Sequence, residues 1–230
     1  MSDFIKNLAE FDTPTICNAI EVVQGRRGFD KFTRGTPVSA MNQTKAMVGY
    51  ARTAKLSGIK PPTESPDIIK ARRLEYFKYM AGGDVPTVCV VEDIDAPNCV
   101  SAWWGEVHTY VHKGLGISGA LTNGVMRDLS DHAPGFPVVA GSIGPSHMFV
   151  HVTELDCPVT VFDLEVQPGD LIHADMHGAA IIPEFVLPDL NGAIQTLLAS
   201  EQIILGPAKE PDFNIDKLME AWRAFEQART

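Results

Sequence analysis

Apolar positions along this chain keep two different periods, and each period predicts an element. Across residues 3–24 they recur three or four apart at Ile16, Ala19, Ile20 and Val23, the stripe of a helix that faces a core. Asp12 or Thr13 supplies its N-cap, with Pro14 next in line. Residues 45–54 are apolar enough for a strand. Residues 55–67 hold Gly58, Pro61, Pro62 and Pro66 and read as a loop. It is long enough to cover a cleft, although a plain surface excursion is the commoner use of such a segment. A helix follows over 68–80, broken by Gly82-Gly83-Asp84. Residues 87–91 (Thr-Val-Cys-Val-Val) form a continuous apolar run, as in a strand buried on both faces. The pattern then predicts a helix over 103–113, strands over 117–122 and 137–140, paired strands near 159–165 and 170–182, and helices over 189–199 and 215–228. Strands alternating with helices, with hairpin-like strands late in the chain, argue for a layered α/β fold. The expected organisation is a catalytic domain over 1–190 and a C-terminal helical extension over 191–230.

Composition narrows function more than fold. A formal net charge of −10 at pH 7 gives a nucleic-acid partner no electrostatic footprint, because surfaces that bind phosphate backbones are basic. No apolar run approaches the ~20 residues that span a bilayer. The opening Met-Ser-Asp-Phe-Ile-Lys-Asn lacks the basic and apolar regions of a secretory signal. Cys17, Cys89, Cys99 and Cys157 are scattered, with no Cys-x-x-Cys pair, which fits reduced thiols rather than a disulfide framework or a zinc cluster. Gly82-Gly83 precedes a strand instead of following one, so it is not a nucleotide-binding fingerprint. A soluble cytoplasmic protein is expected, with no nucleic acid and no membrane among its partners.

Candidate chemistry concentrates between residues 105 and 131. Arg127 and Asp128 adjoin behind a tight turn at Asn123-Gly124. An arginine offers a planar fork of N–H donors that fits a carboxylate, and an aspartate offers hard oxygen to a hard cation such as Mg²⁺. Against this stands a plainer reading, in which Asn-Gly is a hairpin turn and the Arg-Asp pair a solvated surface feature. Three pairs share the His-x-x-x-His spacing: His108/His112, His147/His151 and His173/His177. Only the first lies in a predicted helix, where both rings share a face and can chelate zinc. The other two fall in extended segments, where four residues span roughly 13 Å. His112 also reads simply as an exposed residue near a helix C-terminus. Trp103-Trp104, at a helix start, is expected at a subunit interface, where Trp is enriched.

The spacing around the Arg-Asp pair bears on these readings. Glu106 is followed by twenty residues, then Arg127-Asp128, then Leu129-Ser130, then Asp131. The residues from Asp12 to Ala19, Trp104-Gly105-Glu106, Gly135-Phe136-Pro137-Val138, and Pro168-Gly169-Asp170 with Asp175, Gly178 and Pro183 follow in order. Together these resemble the RraA-like family, which includes 4-hydroxy-4-methyl-2-oxoglutarate/4-carboxy-4-hydroxy-2-oxoadipate aldolases and regulators of ribonuclease activity A. The likeness covers roughly residues 8–190. The chain departs from the usual pattern with Asn18 and Asn123 where the family commonly has Asp, and with His177 late in the signature.

The resemblance implies a swivelling β/β/α domain assembled as a homotrimer or homohexamer, and a divalent-metal-dependent pyruvate aldolase. It implies Asp128 as the single direct ligand of Mg²⁺ or Mn²⁺, and Arg127 on the oxygens of a 2-keto acid substrate. The backbone N–H groups of Gly105, Glu106, Val107 and His108 would hold the substrate carboxylate, and Glu106 and Asp131 would orient waters. It leaves one alternative from another class, a non-catalytic regulator that binds ribonuclease E; that branch generally lacks the trailing acid, so Asp131 favours the enzyme.

Overall fold

A computed structural model describes residues 2–40, 45–81 and 85–228. The expected break at Gly82-Gly83-Asp84 lies outside the described residues. Helices α1 (Ser2–Leu8) and α2 (Thr13–Gln24) replace the single helix expected over 3–24. Asp175 explains the second start: its Oδ2 accepts the Thr13 amide at 2.8 Å, so a carboxylate distant in sequence serves the beginning of α2.

Strands β1 (Val38–Ser39) and β2 (Met47–Ser57) come next, then α3 (Pro66–Met80), with Pro66 in its first turn, and β3 (Thr87–Asp93). β2 runs three residues past the expected end and so shortens the loop read at 55–67. The extension has a partner, since β2 pairs with one strand through Met47–Tyr50 and with another through Ala54–Ser57, across a bulge at Lys55/Leu56. Next are β4 (Ala102–Trp104), α4 (Glu106–Gly114), β5 (Ile117–Thr122), β6 (Val125–Met126), a 3-10 turn at Leu129–Asp131, β7 (Val138–Ala140) and β8 (Ser142–Ile143). Then follow β9 (His151–Leu155), a hairpin of β10 (Val159–Val161) and β11 (Leu164–Val166), and a second hairpin of β12 (Leu171–Asp175) and β13 (Gly178–Ile181). α5 (Leu187–Ala208) and α6 (Ile215–Ala228) close the described chain. No helix among the described residues is long and apolar enough to cross a membrane.

The main sheet is mixed, in the order β1-β7-β5-β3-β2-β12-β13, with β9 also on β2. β2, β3, β5 and β7 are parallel neighbours, and the outer pairings are antiparallel. Val88, Cys89, Val90 and Val91 are fully buried, as their unbroken apolar run requires of a strand covered on both faces. One face packs Tyr76, Met80, Trp103, Trp104 and Phe136, and the other packs β10 and β11 through Val159, Val161 and Leu164. The layered α/β fold expected from the sequence is the fold observed.

The chain forms two compact units: residues 1–14 with 30–183, and residues 15–29 with 184–230. The expected division at 190/191 falls inside α5. In the second unit α5 packs on α6, and Glu21 Oε1 accepts the amides of Gly28 and Phe29.

Three sequence expectations are corrected here. The segment 103–113 is not helix throughout, because Trp103 and Trp104 end strand β4. Those tryptophans are core rather than interface, only 4% and 0% exposed within the chain itself. His112 is fully buried instead of lying exposed at a helix end.

Candidate active site

Three very short parallel strands build the site. β4, β6 and β8 form a separate sheet in which Trp104 sits opposite Met126 and Met126 opposite Ile143. Parallel strands deliver their C-terminal ends to one edge, where open α/β sheets commonly bind ligands. Gly105-Glu106 leaves β4 there, and Arg127-Asp128 leaves β6 beside it. The Arg127 amide donates to Trp104 O at 2.8 Å and locks the two exits together.

At this edge Asp128 Oδ2 lies 3.3 Å from the Glu106 amide and 3.4 Å from Arg127 Nε. Both contacts use the same oxygen, and the Asp128 side chain is 38% exposed. Gly105 makes the approach possible. A Cβ on it would stand 2.5 Å from Asp128 Oδ2 and 3.1 Å from Arg127 Cγ. The N-cap of α4, Gly105, offers no side chain, so Asp128 Oδ2 takes the first amide and the next ones form the positive end of the helix dipole beside it. Asp128 itself has φ +54° and ψ +41°, the left-handed region, which Asp tolerates better than most residues. The carbonyl of Arg127 accepts a hydrogen bond from His132 Nε2 at 2.7 Å.

The structure thus brings Gly105, Glu106, Arg127 and Asp128 together. Val107 is exposed, and Asp131 ends the 3-10 turn, exposed, with the Ser130 hydroxyl donating to its Oδ2. Among the described residues no group of three or more His, Cys, Asp or Glu side chains is placed to hold a metal ion. A single carboxylate such as that of Asp128 is the kind of ligand Mg²⁺ takes, since it binds through one or two carboxylates and keeps most of its waters. Asp128, with Oδ1 outside both internal contacts, fits such a cation. It does not suit zinc, which takes three or four protein ligands.

The histidines answer the zinc reading directly. His112 Nδ1 lies 2.6 Å from His108 O, and a carbonyl only accepts, so Nδ1 carries the proton. Nε2 is left to accept from Tyr76 OH at 2.7 Å. Both nitrogens are spent inside the chain. Burial, against the bond to the His108 carbonyl, pushes the His112 pKa down to about 4. His108 packs edge-on against Trp103 with ring centroids 4.1 Å apart. Its pKa falls to about 3, mainly through burial and then through His112, Arg73 and Arg127 nearby. His173 is likewise engaged, with Nδ1 on Thr13 Oγ1 and Nε2 on Leu8 O. His177 Nδ1 rests on Asp175 Oδ1, which also accepts the His177 amide.

Asn123 holds two strands together. Its Oδ1 accepts the Asp93 amide at 2.7 Å and its Nδ2 donates to Asp93 O at 3.2 Å, tying the end of β5 to the end of β3. Only an amide can do both, which accounts for Asn in place of Asp here. The Asn123-Gly124 turn is no hairpin, since β5 and β6 belong to different sheets. His132 carried no signal in the sequence. Its spacing from Asp128 fits no motif, and its partner is a main-chain oxygen.

Residues 13–181 match the family model described as Aldolase/RraA, RraA-like. The chain is 25% identical over 184 residues, 79% of this chain and 77% of the other, to a Halalkalibacterium halodurans protein named "Putative 4-hydroxy-4-methyl-2-oxoglutarate aldolase". Two solved structures share the fold at 20% identity. One is an uncharacterized protein from Pseudomonas syringae pv. tomato, covering 100% of this chain and 93% of its own, with a TM-score of 0.67. The other is Streptomyces coelicolor RraAS2, described as an unusual member of the RNase ES inhibitor RraA protein family, covering 91% and 98%, with a TM-score of 0.63. A fold and a sequence pattern that agree over most of the chain define its class. This protein belongs to the Aldolase/RraA family, whose members include both aldolases and ribonuclease regulators.

Proposed function

We propose that this chain is a divalent-metal-dependent lyase that cleaves 4-hydroxy-2-oxo dicarboxylic acids to pyruvate. The observation that carries the reading is the Arg127–Asp128 pair, held against the first turn of α4 with the Glu106 amide on Asp128 Oδ2. Asp128 would hold Mg²⁺ or Mn²⁺, with waters completing the shell. When bound, the cation acts as a Lewis acid on the keto oxygen. Arg127 presents two N–H donors to the oxygens of the 2-keto acid and offsets the negative charge that grows there as the carbon–carbon bond breaks. The amides of Val107 and His108, left without partners by their helix, orient the substrate carboxylate. Glu106 and Asp131, both exposed acids, orient water at the rim. Oxaloacetate decarboxylation passes through the same pyruvyl enolate and is a side activity of this reading.

An exposed apolar stripe of Val107, Tyr110 and Val111 on α4, continued by Leu115 just past its end, supports assembly as a homotrimer or homohexamer. The test is pyruvate release from 4-hydroxy-4-methyl-2-oxoglutarate and from oxaloacetate, with Mg²⁺ and then with a chelator, in wild type and Asp128→Asn. Release that needs the metal and is lost in Asp128→Asn is the expected result. Light scattering on the same wild-type sample should give three or six times the 25.0 kDa chain. A folded, metal-supplied protein that releases pyruvate from neither compound would overturn the lyase and favour the ribonuclease-binding alternative.

A further inference from the structure

The Arg127–Asp128 peptide is gripped on both sides, and one grip is a side chain outside the Glu106–Asp131 constellation. Arg127 N donates to Trp104 O at 2.8 Å, and Asp131 N donates to Asp128 O at 2.9 Å. Between them, His132 donates to Arg127 O at 2.7 Å, near the short end of the N–H···O range. Because that oxygen only accepts, the imidazole proton is on Nε2 and Nδ1 is bare, which agrees with Nδ1 being buried without a partner. The ring is therefore held in one tautomer with one task.

That task has a geometric consequence. Arg127 O lies in the peptide plane whose rotation sets φ of Asp128. That φ is +54°, a conformation less costly for Asp than for most residues but still one that its surroundings help to hold. A return to negative φ swings the plane, breaks the His132 bond, and carries Asp128 Oδ2 away from the Glu106 amide and from Arg127 Nε. The amide of Arg127 and the carbonyl of Asp128 are held by main chain, so His132 is the side-chain element of this lock that substitution can remove.

The geometry points to His132 as a positioning residue: its Nε2–H, by holding the Arg127 carbonyl, keeps Asp128 in the left-handed conformation that aims its carboxylate into the site. The catalytic consequence rests on the lyase reading; the conformational one does not.

Three variants test it. His132→Leu removes the donor, His132→Gln puts an amide N–H where the imidazole N–H stands, and His132→Asn falls short of Arg127 O. Crystal structures give φ of Asp128, electron paramagnetic resonance gives Mn²⁺ affinity, and pyruvate release gives kcat and KM. In His132→Leu, Asp128 should leave positive φ, and Mn²⁺ affinity and kcat should each fall by about 10- to 100-fold, the range for residues that orient a metal ligand. His132→Gln should recover most of both, and His132→Asn should not. If His132→Leu fails to fold, the contrast between Gln and Asn decides alone. Asp128 still at positive φ with wild-type Mn²⁺ affinity in His132→Leu or His132→Asn would overturn the inference, as would a Gln variant no better than Asn. If wild type neither binds Mn²⁺ nor releases pyruvate, the lyase reading fails, while φ of Asp128 in the variants still decides the role of His132.

Discussion

On the proposed lyase reading, Arg127 acts through the shape of its guanidinium. Nε lies 3.4 Å from Asp128 Oδ2, and the side chain is 34% exposed, so the group is tied to the aspartate and still reachable from solvent. Lysine in its place keeps the charge but offers a point cation without the planar fork. Arg127→Lys is expected to lower kcat/KM for pyruvate release by about 10²-fold, the usual cost of one oriented donor to a developing oxyanion. Near wild-type turnover in that variant would remove Arg127 from the reacting oxygens. Gly105 matters for the opposite reason, because the site needs the absence of a side chain. Its backbone is extended (φ −156°), so glycine is required by the closeness of Asp128 and not by an unusual φ.

At the scale of elements, the site depends on strands of two or three residues, and on the loops between main-sheet strands that carry them. Asn123 shows how tightly those loops are fixed. Replacing its amide with a carboxylate turns one of its two bonds to the Asp93 main chain into an oxygen facing an oxygen. Asp93 is itself buried, and burial raises its pKa. Asn123→Asp is therefore expected to destabilise the chain by about 1–3 kcal/mol, the cost of an unmet buried polar group. Urea unfolding at pH 7 measures it, and an unchanged midpoint would show that the two strand ends need no tie. Main-sheet strands such as β3 and β5 were legible from their apolar runs. β4, β6 and β8 were not, because a period needs more residues than they possess. Trp103 and Trp104 were misread for that reason: in isolation they look like the amphipathic start of α4.

At the scale of the whole molecule, histidines held neutral by burial tie stability to pH. His112 stays uncharged down to about 4, against an ordinary value of 6.5, and His108 and His173 are depressed in the same direction. The folded state thus binds fewer protons than the unfolded chain below pH 6.5, so stability is fully present above that value and falls as pH drops toward 4. For His112 alone the loss is about 3 kcal/mol at ~1.4 kcal/mol per pH unit. Urea midpoints should decline steadily from pH 7 to 4, and His112→Gln should remove only its own share of that decline, with His108 and His173 keeping the rest, while lowering stability at pH 7. A variant with the wild-type slope would assign the acid sensitivity elsewhere.

Local chemistry was enough to determine the layered α/β class and the buried central strands, and to single out the Arg127–Asp128 pair with its flanking acids as a candidate. Hydrophobic period and motif spacing are properties of neighbouring residues. Tertiary structure alone decided the rest. The stop between α1 and α2 is set by Asp175, far along the chain. The burial of His112 comes from Tyr76 and Phe77 on α3 packed with Trp104 and Phe136 around it, and the need for Asn at 123 from the main chain of β3. The grip of His132 on Arg127 has the same origin. Each joins groups that sequence order, or a partner without a side chain, keeps out of view, and only the folded backbone brings them within hydrogen-bonding distance.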